Sequence, residues 1–249
     1  MINFRCISRV FSKGIYDIDT FCLEGFKKRD CVEEALQFHC DVIDSDEIVL
    51  VDAVASRFGT QPNYLKFDLG CVKKPLTVGG GITDLATATK ALELGAERLI
   101  LNSINFTDLG LMRSIASDFG EQAVVGMIDV VWYQHRYWCV SHGGCDRWSI
   151  AVPEAVALMR DNGMGELYVH SIDKDGLLTG PDTDLFSITS SLDVPFIFGG
   201  GLANIADVEH LAKSSKSCHG VVSRSGVLAN PDLFKQAKHE IDLPYGFWR

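Results

Sequence analysis

The stretch Pro75-Leu-Thr-Val-Gly-Gly-Gly-Ile82 recurs 120 residues later as Pro195-Phe-Ile-Phe-Gly-Gly-Gly-Leu202. Upstream of each copy lies a second matching pair, because Asp46-Glu-Ile-Val-Leu-Val-Asp52 parallels Gly165-Glu-Leu-Tyr-Val-His-Ser171 at a shift of 119. A repeat of about half the 249-residue chain indicates two similar halves closed into one structure, rather than a solenoid of many short units.

Short apolar runs alternate along the chain with segments of helical periodicity. The predicted strands are Phe4–Phe11, Glu47–Val51, Leu76–Val78, Arg98–Leu101, Ala123–Ile128, Glu166–His170, Pro195–Phe198 and Gly220–Ser223. The predicted helices are Cys31–Cys40, Asn63–Asp68, Asp84–Leu94, Asp108–Phe119, Pro153–Asn162, Thr183–Ser191, Asn204–Lys213 and Pro231–His239. Strands that each precede a helix indicate a parallel sheet, and continuous apolar runs fit strands buried on both faces. We therefore predict one α/β domain over residues 1–249, a (β/α)8 TIM barrel made of two similar (βα)4 halves.

Composition narrows the class of function. The formal net charge of −10 argues against a broad nucleic-acid surface, because phosphate contacts need clustered lysine and arginine. No apolar run approaches the roughly 20 residues that span a bilayer, and Met1–Arg9 lacks the apolar stretch of a signal peptide. We therefore expect a cytoplasmic protein that binds neither nucleic acid nor membrane. The eight cysteines contain no C-x-x-C pair, so no metal site and no cofactor are predicted.

The two glycine runs are candidate phosphate sites. Glycine lets backbone N–H groups approach an anion closely, and the helix start that follows favours negative charge. Further donors follow other strands, in Asn102-Ser103, Asp175-Gly176 and Ser223-Arg224-Ser225. Tight turns that need positive φ would explain a single glycine run equally well. Two symmetric copies favour phosphate sites, at Gly80 and Gly81 in one half and Gly200 and Gly201 in the other. Such a pair across a barrel mouth predicts an elongated ligand with a phosphate at each end.

The chain resembles the cyclase subunit of imidazole glycerol phosphate synthase, the HisF family. The resemblance covers almost the whole chain. The stretches that carry it are Asp46–Asp52, Thr77–Ile82, Gly95–Ser103, Phe119–Asp129, Gly165–Gly176 and Gly199–Gly201.

The resemblance implies an enzyme that handles ammonia. In that family a HisH-like glutaminase forms a heterodimer with the barrel and supplies ammonia through it. The ammonia reacts with a bis-phosphorylated ribulosyl substrate to give imidazole glycerol phosphate, a step of histidine biosynthesis. Asp129 matches the catalytic carboxylate after the fifth strand. The matching phosphate contacts are Gly80, Gly81, Asn102, Ser103, Gly176, Gly201 and Ser225, and we add Asp175, Gly200 and Arg224 from the loops that contain them.

Four charged residues match the family's ammonia gate at the bottom of the barrel: Arg5, Glu47, Arg98 and Glu166. All four stand at or near the N-terminal ends of predicted strands, so a barrel would bring them to its closed end. Two cations and two anions can also neutralise each other as a structural ring of salt bridges, and the residues alone leave both interpretations open.

Two departures from the family pattern leave the reaction open. Counting along the first strand from Arg5 places Phe11 where the family has a second catalytic aspartate, and phenylalanine cannot transfer a proton. Arg224 places a large cation where the family has a small residue; it either clamps a phosphate or points to solvent. A divergent branch of the family lacks the strand-1 aspartate and supplies ammonia to a separate amidotransferase that makes amidino sugars for surface polysaccharide. We keep that branch as the alternative to the cyclase.

The segment 131–148, which follows Asp129, is rich in aromatic residues and histidine. The family has a β-hairpin here, so we predict a hairpin. Its aromatic residues either pack over the mouth or form a surface for substrate or a third protein.

Overall fold

A computed structural model describes residues 2–13, 32–53, 55–243 and 246–248. The strands that form its barrel are β1 (Ile2–Lys13), β2 (Glu47–Asp52), β3 (Leu76–Gly79), β4 (Arg98–Leu101), β5 (Val124–Tyr133), β8 (Glu166–Ser171), β9 (Phe196–Gly199) and β10 (Cys218–Ser223). Three further strands lie outside the barrel wall: β6 (Arg136–Ser141), β7 (Asp146–Trp148) and β11 (Gly246–Trp248). The last of these pairs with the start of β1.

The barrel is closed and parallel. Within the described residues the strand order is β4-β3-β2-β1-β10-β9-β8-β5, and β4 pairs with β5 to complete the circle. Every pairing between neighbouring barrel strands is parallel. The predicted TIM barrel is therefore confirmed, and the carboxyl ends of all these strands meet at one upper mouth.

Helices follow the strands around the outside. They are α1 (Val32–Asp41), α2 (Ala55–Phe58), α3 (Leu85–Glu93), α4 (Leu109–Phe119), α5 (Val152–Arg160), α6 (Thr183–Ser190), α7 (Ile205–Ser214), α8 (Ser225–Ala229) and α9 (Leu233–Glu240). Short 3₁₀ turns join several of them to the strands. No helix among the residues described is long and apolar enough to cross a membrane.

One predicted helix is wrong, and two short helices were missed. The stretch predicted as a helix over Asn63–Asp68 instead contains one 3₁₀ turn, Asn63–Lys66, and a second 3₁₀ turn, Leu69–Cys71, follows it. Asp68 starts the second turn by accepting a hydrogen bond from Gly70 N at 3.1 Å, a local side-chain contact that competes with a continuous helix. The missed helices are α2, shortly after β2, and α8, shortly after β10. The first residue of the predicted helix Cys31–Cys40 lies outside the described residues.

The two halves repeat in structure as well as in sequence. Asp84 caps α3 by accepting a hydrogen bond from Thr87 N, and Asn204 caps α7 through Asp207 N in a capping box. The glycine runs share a backbone conformation, with φ of 84° at Gly80 and 105° at Gly200. Both loops that follow the repeated strands therefore need a left-handed backbone conformation, which glycine adopts without strain.

The strand alternation divides the buried residues into two groups. Outward-facing side chains pack with the helices in one large cluster. A smaller cluster fills the inside of the barrel, the lumen: Ile7, Val49, Val51, Ile100, Val125, Met127, Tyr168, Ile197 and Val222. The lumen is thus an apolar column that separates the lower end of the barrel from its mouth.

Candidate functional site

The four charged residues predicted at the lower end form one alternating ring. Arg5 Nη1 lies 2.7 Å from Glu47 Oε2, and Arg98 Nη1 lies 2.6 Å from Glu166 Oε2. The contacts Arg5–Glu166 and Arg98–Glu47 complete the ring, and Thr77 Oγ1 donates to Glu47 Oε1 at 2.6 Å. Each carboxylate therefore bonds to both guanidinium groups, and the ring closes the lower end of the lumen.

Acid should weaken this ring. Burial raises the pKa of Glu166, but the charges of Arg5 and Arg98 outweigh burial and hold that pKa below the ordinary glutamate value. The stability that Glu166 contributes is therefore complete above about pH 4.3 and is lost as the pH falls below it. We expect the free energy of unfolding of wild type to fall more steeply below about pH 4 than that of Glu166→Gln.

Denaturant unfolding at stepped pH measures this difference. The exposed Glu209, which pairs with Lys213, supplies the control, because Glu209→Gln should keep the wild-type pH slope. Identical slopes for wild type and Glu166→Gln would contradict the prediction.

At the upper end, Asp129 is held by a neighbouring amide. Asn102 Nδ2 donates to Asp129 Oδ2 at 2.7 Å, and both residues line the same cavity. Asn102 Oδ1 is buried and has no hydrogen-bond partner in the part of the chain that is described. The predicted catalytic carboxylate and a predicted phosphate contact thus form one pair, in which the Asn102 amide holds the Asp129 carboxylate in place.

The first cradle, the loop of Gly80 and Gly81 with Ser103, borders a cavity of about 460 Å³. That volume is in the range of small-molecule sites. Ser103 Oγ accepts a hydrogen bond from His142 N at 3.3 Å, which ties the predicted hairpin to the cradle. The cavity also holds Asp129, so the structure brings the acid and the first cradle together.

The second cradle is much tighter. Gly176, Gly200, Gly201, Arg224 and Ser225 line it together, as the sequence predicts, but the space among them is about 10 Å³. That volume corresponds to roughly one water molecule. Arg224 lies on the cradle side, near Asp175, rather than pointing to solvent. The two repeated halves therefore present unequal sites.

Between the cradles lies a charged contact that the sequence reasoning missed, and we call it the charged bridge: Arg9, His170 and Asp175. Arg9 Nη1 lies 2.9 Å from His170 Nε2 and 3.8 Å from Asp175 Oδ2, and His170 Nε2 lies 3.2 Å from the same carboxylate oxygen. Arg9 shares its strand face with Arg5 and Ile7, and this period of two could have revealed an inward arginine. His170 is buried, yet its side chain reaches the mouth and lines both cavities.

The predicted hairpin after Asp129 is confirmed. The outer part of β5 pairs antiparallel with β6, and β6 pairs with β7. His142 Nδ1 lies 2.7 Å from Asp146 Oδ2 across the loop between β6 and β7. Trp132 and Tyr133 on the outer part of β5 remain about half exposed. The hairpin therefore forms one wall of the first cavity and leaves aromatic side chains at the surface.

The first cradle needs glycine for a steric reason that can be tested. A Cβ added at Gly80 would lie 2.0 Å from the carbonyl oxygen of Asp52, and φ is 84°. We expect Gly80→Ala to lower the free energy of unfolding by about 2–5 kcal/mol, since overpacking adds to left-handed strain. Denaturant unfolding measures the loss.

Gly143→Ala is the matched control for this substitution. Gly143 has φ of 69°, but an added Cβ there would meet no atom within 4 Å. Its loss should be about 1–2 kcal/mol, from backbone strain alone. Equal losses at Gly80 and Gly143 would show that the contact with Asp52 does not matter.

Comparisons with known proteins agree with this geometry. A family model described as "Histidine biosynthesis protein" matches residues 23–230. The chain is 37% identical over 169 residues to a putative imidazole glycerol phosphate synthase subunit hisF2 of Pseudomonas aeruginosa, covering 66% of each chain. It is 35% identical over 209 residues to the HisF subunit of that synthase from Lacticaseibacillus paracasei, covering 78% of this chain and 81% of the relative. For the HisF subunit of Sulfolobus acidocaldarius the identity is 31% over 212 residues, covering 84% of each.

Proposed function

Since this chain belongs to the histidine-biosynthesis protein family, we propose that it is the synthase subunit of a glutamine amidotransferase of the imidazole glycerol phosphate synthase type. A HisH-like glutaminase docks on the lower face and releases ammonia there. The barrel passes the ammonia to a phosphorylated acceptor in the mouth. The observation that carries this proposal is the ring of Arg5, Glu47, Arg98 and Glu166, which stands at one end of the lumen while Asp129 stands at the other.

Asp129 is the residue to which we assign proton transfer. When ammonia adds to a carbonyl carbon, the new C–N bond forms, one proton leaves nitrogen and the oxygen gains one. Loss of water then removes a second proton from nitrogen and gives the C=N bond. A carboxylate in the cavity wall can take each proton from nitrogen and return it to oxygen. Asn102 supports this role because it fixes Oδ2 of Asp129.

One version of this function is the cyclase reaction, in which ammonia and a bis-phosphorylated ribulosyl substrate give imidazole glycerol phosphate. Asp129 and the two cradles favour it. In this version Phe11 stands at the position of the second aspartate, so another group must share the proton transfers of ring closure with Asp129; His170 and Asp175 line the same cavity.

The second candidate is delivery of ammonia to a separate amidotransferase without ring closure. The observation that favours it is Phe11 together with the charged bridge, which lies between the two cradles. In this version the mouth hands ammonia to a third protein, and the hairpin, which borders the first cavity through His142 and leaves Trp132 and Tyr133 exposed, is the surface that receives it.

Reconstitution with a HisH-like glutaminase tests the proposal. The purified chain and the glutaminase are mixed and run by size exclusion, then assayed with glutamine and the bis-phosphorylated ribulosyl substrate. Formation of a complex with imidazole glycerol phosphate as product supports the cyclase version. A complex that releases ammonia without that product supports the second candidate. If no complex forms at micromolar concentration and the glutaminase is not stimulated, the proposed function is wrong.

A further inference from the structure

His170 and Asp129 stand side by side at the top of the lumen. They are register partners on the neighbouring parallel strands β8 and β5. Two positions earlier on these strands, Tyr168 and Met127 point into the lumen. Since the side chains of a strand alternate, His170 and Asp129 also face inward, one layer higher. Both residues line the first cavity, so its wall contains an imidazole next to a carboxylate.

The Nε2 atom of His170 lies between a cation and an anion. It is 2.9 Å from Arg9 Nη1 and 3.2 Å from Asp175 Oδ2. A ring nitrogen of histidine carries either a lone pair or a proton. With the lone pair, Nε2 accepts a hydrogen bond from Arg9; with the proton, it donates one to Asp175. Each protonation state of the imidazole therefore has a partner already in place, and the neighbours need not rearrange when the proton leaves or returns.

The groups around this imidazole hold their own protonation states. Burial raises the pKa of Asp175, but the charges of His170 and Arg9 outweigh burial and hold that pKa below the ordinary aspartate value. The Tyr168 hydroxyl lies 3.5 Å from His170 Nδ1, and burial raises the pKa of this tyrosine, so the hydroxyl keeps its proton. Imidazole is the side-chain group that most readily exchanges a proton near neutral pH. The charged bridge thus contains one group suited to proton transfer, and that group adjoins Asp129.

The chemistry of ammonia addition favours two such groups. A base takes a proton from nitrogen as the C–N bond forms, and an acid gives a proton to oxygen as the C=O π bond opens. Loss of water repeats both transfers, because nitrogen loses a second proton and the leaving hydroxyl gains one. Two groups in opposite protonation states can make both transfers together, whereas a lone carboxylate must make them in turn.

We propose that His170 is a second catalytic residue of this site and works as a pair with Asp129. This inference rests on the proposed function in its cyclase version. Asp129 takes the proton from nitrogen, and the protonated Nε2 of His170 gives its proton to the carbonyl oxygen and then accepts from Arg9. The proton on Asp129 passes to the imidazole, which is ordinarily the stronger base. Each addition or dehydration therefore moves one proton from nitrogen to oxygen and leaves the pair unchanged.

A second histidine, His142, borders the same cavity and is the competing candidate. Its Nδ1 lies 2.7 Å from Asp146 Oδ2, but the side chain of Asp146 is 55% exposed at the start of β7. The His170 side chain is 4% exposed. Charges act more strongly where water is excluded, so the site beside Asp129 is the better place for proton transfer.

Turnover with ammonium chloride and the bis-phosphorylated ribulosyl substrate tests the proposal. His170→Gln keeps a polar side chain that cannot change its charge, and it should lower kcat about 100-fold or more with KM little changed. His210→Asn, at an exposed position of α7, is the matched control and should keep wild-type kcat. The proposal is overturned if His170→Gln folds by circular dichroism and keeps kcat within about threefold of wild type, or if a large loss follows His142→Asn instead.

Chemical rescue separates proton transfer from packing. His170→Ala removes the imidazole from the cavity wall, and added imidazole should raise the kcat of this variant at least about 10-fold. Pyrazole has the same ring size but is a far weaker base, so it should not restore turnover. Equal rescue by the two rings would show that His170 only fills space, and rescue by neither would assign the loss to structure; both results overturn the proposal. His170→Gln supplies the test if the alanine variant does not fold.

The outcomes separate this proposal from the proposed function. If Asp129→Asn loses turnover and His170→Gln does not, the pairing is wrong while the cyclase version stands. If wild type makes no imidazole glycerol phosphate from ammonium chloride, the pairing is also wrong, and complex formation with the glutaminase decides the amidotransferase role by itself.

Discussion

Alanine in place of Glu47 is expected to lower the free energy of unfolding by about 3–5 kcal/mol. The Glu47 side chain is 1% exposed and bonds to Arg5, Arg98 and Thr77 at once. Its removal leaves two guanidinium groups in a shielded ring that keeps a single carboxylate. Since a domain is typically stable by about 5–15 kcal/mol in total, this is a large share. Guanidinium chloride unfolding at pH 7 measures it.

Two further variants make this result specific. Glu209→Ala removes a carboxylate of an exposed pair with Lys213 and should change stability by less than about 1 kcal/mol. Glu47→Gln keeps the volume but not the charge, so it should lose nearly as much as alanine. If Glu47→Ala cost no more than Glu209→Ala, the ring would not be a buried network, and the proposed lower gate would lose its structural basis.

Asparagine in place of Asp129 is expected to reduce kcat for ammonia addition by about 100- to 10,000-fold, with KM for the acceptor little changed. Asparagine keeps the shape of aspartate and can still accept a hydrogen bond from Asn102, but it cannot take or return a proton. The assay uses ammonium chloride as the source of ammonia, so that no glutaminase is needed, with the phosphorylated acceptor that wild type consumes fastest.

The control for this substitution is Asp118→Asn on the exposed face of α4, which should keep wild-type kcat. Thermal unfolding of both variants should resemble wild type, so that lost activity reports on chemistry. An Asp129→Asn enzyme that retains turnover within about threefold would show that another group transfers the protons, and the assignment of Asp129 would be withdrawn.

The sequence predicted which segments form the barrel strands, but it predicted the ends of those strands less well. The fifth strand was predicted to end at Ile128, but β5 continues through Asp129 to Tyr133. The extension exists because β6 pairs with the outer half of β5. Hydrogen bonds to a neighbouring strand extend a strand beyond its own apolar run, and a single sequence does not show which segment supplies them.

The sequence likewise revealed some residues of the candidate site and not others. The glycine loops, Asp129 and the ring residues could be found from the repeat and the family pattern, although their roles remain proposals. Arg9 could not be assigned so easily, because the first strand departs from the pattern there and its partners lie 161 and 166 positions away in the chain. Only the closed barrel shows that β1 and β8 face each other across the mouth.

The sequence by itself determined the barrel and the similarity of its two halves. The repeated glycine runs need a backbone that few other residues adopt, and the strand periods set which side chains face inward. Tertiary structure alone decided that the halves are unequal. Charge interactions and cavity volume depend on distances through space, so the bridge of Arg9, His170 and Asp175, and the wide and narrow sites beside it, arise only when the barrel closes.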